Sequence, residues 1–174
     1  MSLAVISYPK FIPNDHRKIP VMRVIYPKLT YPKFESHFTF VFPQGSVDAD
    51  SLVEHVKTVA VDQARILFTI RRAEAVQDSL SDNTYLFLVP DEGYEAVIQL
   101  HDRLYEDVMA AELRADIPYI PHITVGYTAD AVYCQHAADA LNAKPFELRG
   151  VIETLDVVEI VGDSGRTVAQ VALT

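Results

Sequence analysis

His37-Phe38-Thr39-Phe40 and, 85 residues further on, His122-Ile123-Thr124-Val125 share one pattern: histidine, apolar, threonine, apolar. Side chains alternate faces along a β-strand. Phe38 and Phe40 therefore point one way and His37 and Thr39 the other, and the same split separates Ile123 and Val125 from His122 and Thr124. Each strand buries one face and offers an imidazole beside a hydroxyl on the other. Two such strands facing one cleft supply two titratable bases and two hydroxyl donors, a set suited to acid–base chemistry on a phosphate ester. Two copies with all four flanking positions apolar arise by chance with a probability of roughly a few in a thousand.

Outward from each motif the order of elements repeats. The first motif strand, roughly 36–42, ends at Pro43-Gln44-Gly45. A helix follows, with Ser51-Leu52-Val53-Glu54 matching a capping box and Leu52, Val56, Val59, Ala60 and Gln63 on one face. Strands are expected at Ile66–Arg71 and Tyr85–Val89. The second motif strand, 121–127, is followed by a helix from about Asp130 to Ala143, a long strand near 147–161, a turn at Gly162-Asp163-Ser164-Gly165 and a strand at Val168–Leu173. An amphipathic helix from about Glu92 to Leu113 joins the halves, with Val97, Leu100, Leu104 and Val108 on its buried face. Leu3–Tyr8 reads as an additional strand. Strands with helices packed on one side imply an α+β fold of two mainly antiparallel sheets, with the motif strands across a groove.

At 174 residues the chain reads as a single domain, 1–174, with lobes of approximate halves 1–90 and 91–174 that have room to exchange strands. Hydrophobic content of 49% with 22% charged residues is that of a soluble globular protein. No apolar run approaches the ~20 residues that span a bilayer, and the opening Met1–Pro9 lacks the basic start of a signal peptide. A single cysteine, Cys134, excludes an internal disulfide framework and suits a reducing cytosol, where it reads as buried filler. Cys/His metal spacing is absent.

Charge is uneven. Residues 1–40 carry Lys10, Arg17, Lys18, Arg23, Lys28 and Lys33 against Asp15 and Glu35, a net of +4, which leaves −13 for the rest of a chain whose formal total is −9. An acidic body argues against extended contact with duplex nucleic acid but permits a small nucleotide or one RNA end in a local basic cleft. Within residues 9–34, read as irregular, Tyr-Pro-Lys occurs at 26–28 and 31–33, after a first copy at 8–10. Proline disfavours helix here. The tyrosines and lysines either stack on a base and touch a phosphate or cover an edge of the core. His55, His101 and His136 fall within expected helices and take no catalytic role, being read as exposed or peripheral.

The paired motifs resemble those of the two-histidine (2H) phosphoesterases, the superfamily of RNA 2′,3′-cyclic phosphodiesterases and 2′-5′ RNA ligase-like proteins. The motif spacing, the helix after each motif, the strand ending in Val89-Pro90, the linking helix and Pro121 before His122 all fit, from about residue 3 to the C-terminus. The resemblance implies a bilobal, pseudo-two-fold fold with the active site between lobes. It implies His37 as the acid that protonates the leaving ribose oxygen, His122 as the base that activates water, and Thr39 and Thr124 as the groups that hold phosphate oxygens, with no metal and no cofactor. The implied partner is a nucleotide or RNA end carrying a cyclic phosphate, and the implied protein a cytoplasmic monomer, with no membrane partner. Hydrolysis of another phosphodiester, and a non-catalytic nucleotide- or RNA-end-binding module, are the alternatives.

Neutral threonines do not balance a phosphate's charge, so a cation is expected nearby. Some members carry an arginine three residues after the second threonine, where this chain has Tyr127. The candidate substitutes are Arg71, Arg72, Lys28 and Lys33, and adjacent Arg71 and Arg72 cannot both face the cleft from a regular strand. Tyr119 and Tyr127 flank the second motif and either stack on a base, donate a hydrogen bond or pack.

Overall fold

Phe38, Phe40, Ile123 and Val125 are buried, while His37, Thr39, His122 and Thr124 are half-exposed between them, so the alternation expected from the motifs organises the structure, a computed structural model that describes residues 1–174. The strands are β1 (Ser2–Ser7), β2 (Lys10–Phe11), β3 (Phe38–Gln44), β4 (Ile66–Gln77), β5 (Thr84–Glu92), β6 (Ile123–Thr128), β7 (Leu148–Ile152), β8 (Thr154–Val161) and β9 (Ser164–Ala172). The helices are α1 (Lys18–Ile25), α2 (Ala49–Ala60), α3 (Tyr94–Leu104) and α4 (Ala131–Asn142). None is long and apolar enough to cross a membrane.

The fold is α+β and antiparallel, as the sequence implies. Its two sheets are joined into one, in the order β2-β7-β4-β5-β6-β3-β1-β8-β9. The joint is a single residue pair, Phe38 on β3 with Ile123 on β6. On one side of it stand β2, β7, β4, β5 and β6, and on the other β3, β1, β8 and β9. Each block thus takes strands from both halves of the chain. α4 packs on β4, β5 and β6, α2 on β8 and β9, and α3 against β3 and β5. One continuous core runs from Leu3, Phe38 and Phe40 through Leu52, Leu88 and Leu100 to Leu148 and Leu155.

Four local details depart from the sequence reading. The strand expected over 147–161 breaks at Glu153, and its two pieces join different blocks: β7 pairs with β2 and β4, β8 with β1 and β9. α2 is capped by Asp48, whose carboxylate accepts from the Ser51 N–H at 3.0 Å and its hydroxyl at 2.8 Å, so the cap lies upstream of the expected box. The linking helix stops at Leu104 and continues as a 3₁₀ turn over Asp107–Glu112. With three residues per turn instead of 3.6, Val108 faces water and Met109 the core. Finally, residues 18–25 form α1 inside the stretch read as irregular. Pro20 sits in its first turn, where a missing N–H costs nothing, and Ile19 and Met22 face the core.

Candidate active site

β3 and β6 meet antiparallel through one residue pair, Phe38 with Ile123, so the two motifs lie side by side, His37 on the Thr124 side of that pair and Thr39 on the His122 side. The two histidines and the two threonines lie on the face away from the core.

Both imidazoles are fixed the same way. Nδ1 of His37 donates to the carbonyl of Glu35 at 2.7 Å, and Nδ1 of His122 donates to the carbonyl of Ile120 at 2.6 Å. A carbonyl only accepts, so each Nδ1 carries hydrogen and each Nε2 is left for chemistry. The surroundings differ. His122 stacks on Phe87 with centroids 3.5 Å apart and planes 13° from parallel, and burial pulls its pKa down to about 4, against the opposing pull of the Ile120 carbonyl. His37 meets the edge of Tyr8 at 6.1 Å and the ring of Phe34 at 5.4 Å. Burial lowers its pKa too, helped by the nearby Arg23 charge and opposed by the Glu35 carbonyl, without the large displacement of His122. Of the pair, His37 therefore holds a proton to higher pH.

Beyond Ile123, β6 leaves β3, and the gap is filled from α1 and the loop after it. Thr30 and Tyr127 exchange backbone hydrogen bonds at 2.7 and 2.9 Å. A bulge in β6 pairs Thr124 with Phe87 and Gly126 with Leu86, skipping Val125. Arg23 of α1 takes the carbonyls there: its Nε donates to Val125 at 2.8 Å and its Nη2 to Thr124 at 3.3 Å. Gly126 is required by this closeness, since a Cβ there would sit 2.7 Å from the Thr30 carbonyl oxygen.

The expected cations are engaged elsewhere. Arg71 is bound by Glu147 at 3.0 Å and Asp91 at 3.3 Å, and Arg72 by Asp91 at 2.9 Å and Glu74 at 3.0 Å. Both reach Asp91 because β4 bulges against β5 between Ile70 and Arg72, which breaks the alternation expected of adjacent residues. Arg72 does share the site's face, for Glu74 two residues on pairs with Phe87, but it lies two strands from β6. Lys33 pairs with Asp163 at 2.9 Å, and Lys28 lies 5.2 Å from the Tyr133 ring. Tyr119 turns inward, its hydroxyl donating to the Thr39 carbonyl at 2.8 Å and its ring stacked on His101 at 3.7 Å. Tyr127 packs at 5.1 Å against Tyr85. His101 and His55, read as exposed or peripheral, are buried, and the ring Nε2 of His55 lies 3.1 Å from the Leu104 carbonyl.

Arg23, Phe34 and Phe87 are neighbours of the site that the sequence reading did not single out. Phe87 was accessible in principle, as the outward residue between buried Leu86 and Leu88. Arg23 was not, because its place depends on a helix hidden between prolines. No His, Cys, Asp or Glu cluster of the kind that holds a metal is formed.

A family model described as the 2′-5′ RNA ligase superfamily matches residues 13–164. No curated protein matches the sequence. Among solved structures the chain is similar to a phosphoesterase at 20% identity, covering 99% of this chain and 98% of that one with a TM-score of 0.64. Escherichia coli LigT complexed with 3′-AMP is similar at 20% identity, with 99% and 98% covered and a TM-score of 0.61. TT0787 of Thermus thermophilus follows at 16% identity, with 99% and 98% covered and a TM-score of 0.62. At these identities the structures speak for the fold.

Proposed function

The chain belongs to the 2′-5′ RNA ligase superfamily of two-histidine phosphoesterases, and from that premise we propose that it hydrolyses 2′,3′-cyclic phosphate ends of RNA or small nucleotides to a 2′-phosphate. The observation that carries the reading is the Phe38–Ile123 pair, which brings the two motifs side by side, while each histidine's Nδ1 is bonded to a carbonyl and its Nε2 is free. A cyclic phosphate seated on the two motifs is attacked by water on one side while the 3′-oxygen leaves on the other. Neutral His122 takes the proton from water as the new P–O bond forms. Protonated His37 delivers a proton to the 3′-oxygen as its bond to phosphorus breaks. Thr39 and Thr124 donate to the non-bridging oxygens, where negative charge builds. No step requires a metal or a cofactor.

The ordering of the two titrations supports these roles. His122, with its pKa near 4, is neutral at the pH where His37 still carries a proton, so base and acid are in their working forms together below His37's own lowered midpoint. That LigT has been solved with 3′-AMP, ATP and NADP+ supports a nucleotide-sized ligand for the fold. We further propose a cytoplasmic monomer, in keeping with the lone buried Cys134, whose thiol burial pushes up to about 11.

The test is a panel of 2′,3′-cyclic mononucleotides and short RNAs ending in a cyclic phosphate, incubated with chelator, with product position read by ³¹P NMR. Turnover to a 2′-phosphate is expected. Absence of turnover across the panel, a 3′-phosphate product, or activity only with added metal would overturn the reading.

A further inference from the structure

A phosphodiester is an anion, and the two histidines and two threonines offer it only the charge of one protonated imidazole. The basic side chains that form no ion pair are Arg17, Arg23, Lys28 and Lys144. Three are exposed, and only Arg23 is half-buried. A guanidinium drawn partly out of water without a carboxylate is costly, and burial holds its pKa below the ordinary value. The carbonyls of Val125 and Thr124 accept from Nε and Nη2, and the Tyr31 ring covers one face at 4.4 Å. The fork has five N–H groups, so the rest remain to be used. They belong to a side chain anchored on the backbone of Thr124, whose charge is felt by His37. Arg23 also lines a cleft of about 600 Å³, together with Tyr8, His16, Tyr31, Lys33 and Phe34.

We propose that Arg23 is the substrate-binding cation of this site, held against the second motif by α1 so that its free N–H groups grip the non-bridging oxygens of a phosphate. The anion site rests on the geometry of Arg23 alone. Only the identity of the anion as the scissile phosphate rests on the phosphodiesterase reading. The Val125 bulge gives the arrangement its logic, because it exposes the carbonyl that aims the guanidinium. Lysine has the charge but not the planar fork that spans two carbonyls and an anion together.

Inorganic phosphate titrated into the unaltered protein, followed through the Arg23 Nε–H signal by NMR, tests the contact without any substitution. The signal should move in step with the histidine signals. Arg23→Gln should weaken phosphate binding by about tenfold or more and lower kcat/KM on a cyclic nucleotide by about 10²-fold, with Arg23→Lys between it and wild type. The upper pH limb should rise in Arg23→Gln, because the cation that depresses His37 is gone, and stay in place in Arg23→Lys, which keeps the charge. An Arg23 signal unmoved at saturating phosphate while the histidines shift would overturn the proposal, and this outcome is available even if Arg23→Gln does not fold. A folded Arg23→Gln that binds phosphate and turns over like wild type would also overturn it, and would leave the phosphodiesterase reading standing. Movement of the Arg23 signal in a protein that hydrolyses no cyclic phosphate would uphold the anion site and remove the enzymatic reading.

Discussion

Replacing Phe87 with alanine uncovers one face of the His122 ring, which otherwise lies 3.5 Å from a parallel phenyl. His122 titrates near 4 where a free histidine titrates at 6.5, and burial is the largest cause. At ~1.36 kcal/mol per unit the displacement corresponds to about 3 kcal/mol against the charged ring. If the phenyl accounts for somewhat under half of that shielding, its removal raises the pKa by about one unit, or about 1.4 kcal/mol. The base is the group that must be neutral, so the acid limb of kcat/KM moves up by the same amount. Activity should then fall about fivefold at pH 4 and hardly at all above pH 6. Stability should move the opposite way in the same window: the unfolded chain binds the His122 proton between pH 6.5 and 4 and the native protein does not, so wild type loses stability as pH falls through that range and the variant loses less. Phe87→Leu, which keeps most of the apolar bulk, should give a smaller shift and guards against a fold too weakened to measure. Imidazole ¹⁵N signals give the titration directly, and the pH–rate profile gives its consequence. A His122 midpoint that stays put or drops would refute the reasoning, a drop meaning that the phenyl face stabilises the imidazolium more than its bulk excludes water.

Three further outcomes follow from the site. His37→Ala and His122→Ala should each lower kcat by about 10²–10⁴-fold, and the double variant by far less than the product, because the two act as a unit; full activity in either single variant removes that residue from the mechanism. Thr39→Val and Thr124→Val should each cost about 1–3 kcal/mol of transition-state binding with the pH limbs unmoved, and kinetics across pH on a folded variant would expose a merely structural threonine. Gly126→Ala should push the Thr30 carbonyl and Leu29 off β6, costing roughly 1–3 kcal/mol; hydrogen exchange should show lost protection at Tyr127 and Thr30, and unchanged protection would mean that the loop is not held by this contact.

The site was more legible than the topology, for a physical reason. Period-two alternation is local, so His37, Thr39, His122 and Thr124 could be assigned to one face from eight residues, and β3 and β6 carry that alternation out. The apolar stripes of α2 and α4 were readable because 3.6-residue periodicity is local as well. The break at Glu153 was not, since the apolar run on both sides is continuous and only the separate partners of β7 and β8 impose it. α1 was masked by the prolines that bracket it, although Pro20 is tolerated in a first turn. The ion pairs of the basic side chains were not legible, because Arg71, Arg72 and Lys33 look free in sequence, while Asp91, Glu147, Glu74 and Asp163 reach them only through the fold.

The exchange of strands between halves also has a consequence for how the protein is made. β1 is bordered by β3 on one side and by β8 on the other, and Ser2 pairs with Ile160. A growing chain therefore carries β1 with one edge open until β8 has been synthesised, and β2 waits for β7 in the same way. Such distant pairings slow folding and leave strand edges exposed meanwhile. Residues 1–90 contain β1, β2, β3, β4 and most of β5, yet β1 lacks β8 and β4 lacks β7, so neither block of the sheet can close before β7 and β8 have been made.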